Sequence, residues 1–303
     1  MRRPSVIPTW AVLVMAVSLA ACTAQTSPLP SEASDAPASH AGSSPPASAA
    51  PASVTPSAAA GRLVAIGDRS LWLECIGEGE PTVILESGLG GDHRTWERVQ
   101  PDIAEGTRVC TYDRAGIAES DAAAGPRTAA DAVADLHDLL ASAEISSPYA
   151  LVGFSFGGAI SQLFAATYPD EVVGMVLVES NHPLEAQQFE EHLTAEQIED
   201  DRGSVLGNPE GMDVFASFEE LQVAGSLPDV PLVVVTAALS EGWPRGWDAD
   251  TFDALRAAQQ ADLATFTSHG RQVIAEESAH NVPSHQPEVI VEAIRSVLGE
   301  LAG

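Results

Sequence analysis

The sequence predicts an α/β fold, a mainly parallel, doubly covered sheet of about eight strands with a small helical cap insertion. Three observations carry that prediction. Short apolar runs of strand length alternate with stretches of helical period along residues 61–303. One strand–turn–helix unit is punctuated by glycines on both sides of a serine. The folded part, about 240 residues, suits one large α/β domain.

Taken in order, residues 62–66 and 70–76 read as an opening hairpin, and residues 81–86 and 108–112 as short apolar strands. Residues 128–143 place Val133, Leu136, Leu139 and Leu140 at helical spacing. A strand at 149–153 leads to Ser155, and residues 159–168 read as the helix that follows. Further strands fall at 171–178, 231–237 and 271–275, before a closing helix over 287–298. Such alternation implies parallel strands with helices on both faces. Residues 181–229 break the rhythm. They are acidic, with weak amphipathic pieces, and read as a cap over the carboxyl edge of the sheet.

The segment Gly153-Phe-Ser155-Phe-Gly157 follows a G-x-S-x-G pattern between strand and helix. A serine on such a sharp turn sits in strained backbone, and glycines let neighbouring chain pass close by. Its hydroxyl is then exposed at the positive end of a helix, where a developing oxyanion can be stabilised.

The first 21 residues have the layout of an export signal: Met1-Arg-Arg-Pro, then an apolar run from Val6 to Ala21 too short for a comfortable membrane span. The run closes on Leu19-Ala-Ala-Cys22, which resembles a bacterial lipobox, with cleavage before Cys22 and lipid on that cysteine. Residues 22–60 are nearly all Ala, Ser, Pro and Thr, and bury too little surface to offset ordering entropy. They read as a disordered tether of roughly 35 Å mean reach. The formal charge is −29, and all 14 basic residues are arginine. A surface this acidic repels phosphate backbones, which argues against nucleic acid as a partner.

With Glu86-Ser-Gly-Leu-Gly90, Tyr112-Asp-Arg-Ala-Gly116 and Ala279-His280 before Gln286-Pro-Glu288, the chain from about residue 61 onwards resembles the α/β-hydrolase superfamily, in particular secreted bacterial members with a serine nucleophile. The order of these motifs is specific for the fold and poorly specific for substrate. The resemblance implies a serine–acid–histidine site, with Ser155 as nucleophile and His280, between the last strand and the last helix, as base. The acid is usually supplied after the strand at 231–237, where this chain has Ser240, with Glu241 one residue later. Some members carry it after the preceding strand, which makes Glu179 the choice here and Glu241 the alternative. The backbone N–H groups of Phe156 and Leu89 are the expected oxyanion donors. Ser87 stands where many relatives have histidine, and Asp113 and Arg114 are expected to brace the loop. In that fold the second and fourth strands are neighbours, which would allow a Cys75–Cys110 disulfide, with two buried thiols as the alternative.

No metal-ligand spacing and no dinucleotide fingerprint occur, so neither metal nor cofactor is implied. The expectation is a lipid-anchored, extracytoplasmic serine hydrolase acting on a small-molecule ester or amide. An aminopeptidase or perhydrolase on the same scaffold is a second enzymatic reading. A binding lipoprotein that has lost catalysis is the rival from another class, and Ser240 at the usual acid position lends it weight.

Overall fold

The computed structural model describes residues 61–240 and 242–302. The leader, Cys22, the tether and Glu241 lie outside the described residues. Eight strands form one sheet: β1 (Arg62–Ile66), β2 (Arg69–Ile76), β3 (Thr82–Glu86), β4 (Val109–Tyr112), β5 (Tyr149–Phe154), β6 (Val172–Val178), β7 (Leu232–Ala237) and β8 (Gly270–Ala275). Their spatial order is β1-β2-β4-β3-β5-β6-β7-β8. The pairs β1/β2 and β2/β4 are antiparallel, and every pair from β4/β3 to β7/β8 is parallel.

Nine helices accompany the sheet among the described residues: α1 (Gln100–Ala104), α2 (Ala129–Ser142), α3 (Phe156–Thr167), α4 (Glu185–Glu190), α5 (Ala195–Leu206), α6 (Val214–Val223), α7 (Ala249–Leu263), α8 (Val282–His285) and α9 (Pro287–Leu301). Successive strand residues point to opposite faces, so a doubly covered sheet needs apolar residues at both parities. That is what the central strands supply. Ile84, Leu151, Leu177 and Val234 join α2 and α3 in one core, with Leu136, Leu139, Ile160 and Phe164. Val83, Val152, Val176 and Val233 join α1 and α9 in the other, with Ile103, Ile290, Ile294 and Val297. The segment between β6 and β7 carries α4, α5 and α6, the second and third started by side-chain caps from Thr194 and Asp213.

Helix α7 is the longest of the elements that the hydrophobic pattern misses, with the short α1 and α8. Only Phe252, Gln259, Gln260 and Leu263 of its residues are buried, so no strong apolar stripe marks it.

Cys75 and Cys110 face each other directly in the β2/β4 register and are joined by a disulfide, with Cα atoms 4.1 Å apart. A cross-link over 35 residues stabilises by up to ~4 kcal/mol through the unfolded chain. Urea unfolding with and without reductant should show that loss as a lower midpoint. An unmoved midpoint after verified reduction would mean that the bridge constrains little.

Candidate active site

Ser155 stands at the end of β5 and caps α3, with φ 53° and ψ −123°. A non-glycine residue in this region is strained by roughly 1–3 kcal/mol, and persists only where surrounding bonds over-determine it. Here its N–H donates to the Val178 carbonyl at 3.0 Å, and its own carbonyl accepts from Gly158 at 2.9 Å and Asn181 at 3.2 Å. Gly157 supplies the other requirement. A Cβ there would lie 2.4 Å from the carbonyl oxygens of Glu86 and Ser87, so no side chain fits. The Ser155 hydroxyl makes no hydrogen bond among the described residues.

Glu179 follows β6 with φ 45°, the second strained residue of the site. It is 3% exposed. Its N–H donates to the Val235 carbonyl at 2.8 Å, and its Oε1 accepts from the Ala237 N–H at 2.8 Å. The carboxylate therefore fastens the end of β6 to the end of β7. Its Oε2 lies 3.2 Å from Nδ1 of His280, which comes from the loop between β8 and α8. The His280 ring packs on Phe154, the residue before Ser155, with centroids 5.0 Å apart. Burial raises the Glu179 pKa, but the hydrogen bond with His280 and the charge of Arg256 outweigh it and hold the carboxyl below its ordinary value.

Arg256, on α7, is a member of this group that the sequence did not reveal. Its Nη1 is 3.0 Å from Glu179 Oε2 and 3.0 Å from His280 Nδ1, and its guanidinium lies 5.0 Å over the Trp243 ring. Asp248 at the N-cap position, followed by an alanine-rich stretch, could have signalled the helix. Nothing in the chain signalled where the arginine would point.

The loop after β3 lies against Ser155. A Cβ on Gly88 would be 3.3 Å from the Ser155 Cβ, and Leu89, Ser155 and Phe156 line one cavity. Arg114 braces this loop by donating to the Ser87 carbonyl at 2.5 Å and the Gly88 carbonyl at 2.6 Å. It is itself held by Glu86 and by Glu210, the latter from the segment between α5 and α6. Asp113 serves the neighbouring turn instead, accepting from the His93 N–H at 2.8 Å and contacting its ring. The Ser87 hydroxyl donates to the Asp92 carbonyl and closes the loop.

The cavity holds about 290 Å³, walled by Phe189, Phe218, Trp243 and Trp247. A second space of about 280 Å³, containing Glu179 and His280, adjoins it across Trp243 and Arg256. A larger cavity of about 540 Å³ lies elsewhere, beside Gln162, His182 and Asp262, and includes none of Ser155, Glu179 and His280. Other histidines have structural partners: His93 stacks on Trp72, His137 on Tyr168, and His182 bonds Asp262. Ser240, at the usual acid position, donates to Asp253 of α7.

Comparison with known proteins agrees with this architecture. A family profile described as "alpha/beta hydrolase fold" matches residues 81–272, well over half of the chain. The Bacillus subtilis protein YqjL is 26% identical over 226 residues, which cover 71% of this chain and 83% of that protein. A pimeloyl-[acyl-carrier protein] methyl ester esterase of Chromobacterium violaceum is 38% identical over 186 residues, 58% of this chain and 67% of the esterase. Among solved structures, mouse alpha/beta hydrolase domain-containing protein 10 superposes with a TM-score of 0.62 at 16% identity, over 80% of this chain and 100% of that one. The chain belongs to the α/β-hydrolase fold family.

Proposed function

We propose that this protein is a lipid-anchored, extracytoplasmic serine hydrolase of ester-like bonds. The observation that carries the reading is the hydrogen bond between Glu179 and His280 beside a strained, half-buried serine that lines a cavity. Ser155 Oγ attacks the substrate carbonyl while His280 Nε2 takes its proton. Glu179 orients the ring through Nδ1–H and balances the imidazolium. The N–H groups of Phe156 and Leu89 receive the oxyanion. Collapse of the tetrahedral species breaks the ester C–O bond, and the leaving alcohol takes the proton from His280. Water, deprotonated by the same nitrogen, then cleaves the acyl-enzyme and frees the acid. The methyl ester esterase relative favours an ester among the possible acyl substrates. Export by residues 1–21 and lipid on Cys22 complete the proposal.

One observation favours the rival reading of a binding protein without turnover: the Arg256 guanidinium stands 3.0 Å from Nδ1, where the catalytic ring must carry its proton. A fluorophosphonate probe separates the two. The enzyme reading expects labelling of the wild type and none of Ser155→Ala; an unlabelled wild type, inert toward p-nitrophenyl esters, leaves the binding protein. Glu179→Gln should lower turnover by up to ~10⁴-fold, as for the orienting aspartate of serine proteases, and Glu241→Gln by little. The reverse pattern transfers the acid role to Glu241.

Glu179 also makes a claim on acid stability. A carboxyl with a depressed folded pKa adds stability that is present above the unfolded value, about 4.3, and is lost as pH falls through the folded one. Glu86 and Glu185, pushed up by burial, act in the opposite sense and remain in the variant. Glu179→Gln should therefore flatten the fall in urea midpoint below about pH 5. Parallel curves for the two proteins would show that the native carboxylate is not favoured as described.

A further inference from the structure

Three consecutive peptide groups of the loop after β3 are gripped by two buried, oppositely charged side chains. Arg114 donates to the carbonyls of Ser87 and Gly88, and the Gly90 N–H donates to Glu210 Oε1 at 2.5 Å. The two side chains are themselves joined twice, Nε to Oε2 and Nη2 to Oε1, each at 2.6 Å. The middle peptide matters most. Its carbonyl is that of Gly88 and its N–H is that of Leu89. In a planar trans peptide these two groups point in opposite directions, so holding the carbonyl in the arginine fork sets the aim of the N–H. A charge-assisted bond to the carbonyl also polarises the same peptide.

Glu210 is not needed to neutralise Arg114, because Glu86 already contacts the guanidinium. Burying a second carboxylate is costly unless its bonds are used. It is used, by Gly90 and Arg114 together. Glu210 also lies outside the sheet scaffold, in the segment that joins α5 to α6 over the carboxyl edge.

We propose that Arg114 and Glu210 are positioning residues of the oxyanion hole, and that Glu210 makes the aim of the Leu89 N–H depend on the seating of the helical insertion between β6 and β7. The inference rests on the serine-hydrolase reading for its catalytic consequence, but not for the clamp itself. Preorganised donors act through direction, so a loosened loop loses transition-state binding before substrate binding. The same insertion that walls the substrate cavity thereby completes the charge-stabilising part of the site.

Glu210→Met in the full-length protein tests this, since it leaves Arg114 balanced by Glu86. With active sites counted by fluorophosphonate titration, kcat for a p-nitrophenyl ester should fall about 10- to 100-fold while KM stays within about threefold. Hydrogen exchange of the peptide spanning residues 86–92 should rise at least about tenfold. Glu210→Gln keeps an acceptor for Gly90 and should lose less than Glu210→Met. If Glu210→Met does not fold, Arg114→Lys carries the same expectation, because an ammonium cannot span both carbonyls. A melting temperature that drops with kcat per site unchanged would reduce the pair to a structural role and overturn the proposal. So would unchanged loop exchange, whether or not any ester is turned over. A wild type inert to esters and probe, with loop exchange still raised in the variant, would sink the hydrolase reading and leave the clamp standing.

Discussion

The parallel register of β5, β6 and β7 is the constraint on which the site depends. Hydrogen bonds continue past the ends of these strands: Ser155 N–H to the Val178 carbonyl, then Glu179 N–H to the Val235 carbonyl. Each bond fixes a residue in left-handed backbone, φ 53° at Ser155 and φ 45° at Glu179. Such conformations cost roughly 1–3 kcal/mol apiece and need a rigid surround. The buried valines of β6 and β7 supply it, with both faces of the sheet filled. Strain is thus held where the strands stop, and the side chains projected there come from segments far apart in sequence.

Beneath the loop after β3, electrostatics rather than apolar packing sets the geometry. Glu86, Arg114 and Glu210 are all buried, with Tyr112 hydrogen-bonded to Glu86. Arg114 uses its planar fork to reach two carboxylates and two carbonyls at once. Lysine, a point charge with three donors on a flexible stem, could not hold that arrangement. A chain whose basic residues are all arginine is suited to such sites. Arg127 and Arg69 likewise converge on the buried Asp135.

The strand–turn–helix around Ser155 was legible in the chain because its causes are local: an apolar strand, a serine, and glycines spaced where backbone passes backbone. The five central strands, β3 to β7, were legible because burial on both faces writes continuous apolar runs, and the ends of all eight fell within a residue or two of those read. Arg256 and Glu210 were not, since neither lies in a motif and each acquires its role from a contact across the fold, 77 residues from Glu179 in one case and 96 from Arg114 in the other. The choice between Glu179 and Glu241 was likewise beyond local pattern, and Glu241 lies outside the described residues. Which strand end faces a given loop histidine is a question of register, not of residue type. Helix α7 was hidden because most of its surface is polar, and a periodic apolar stripe is the signal that sequence reading uses.

The position of Arg256 carries the last step. A guanidinium can only donate, and Glu179 Oε2 is the acceptor it shares with the His280 ring. If the ring holds its proton on Nδ1, Glu179 accepts from both and the nearby guanidinium is a second donor facing a donor. If Arg256 donates to Nδ1, the ring proton moves to Nε2, and the nitrogen to which the proposed mechanism gives the Ser155 proton is already occupied. The two arrangements use the same atoms within 3.0–3.2 Å and exclude one another. Glu179 biases the choice between them, because its negative charge draws both donors toward it and away from each other. In the proposed mechanism Glu179 is therefore asked for more than orientation of a ring. It also has to hold an arginine off that ring's nitrogen.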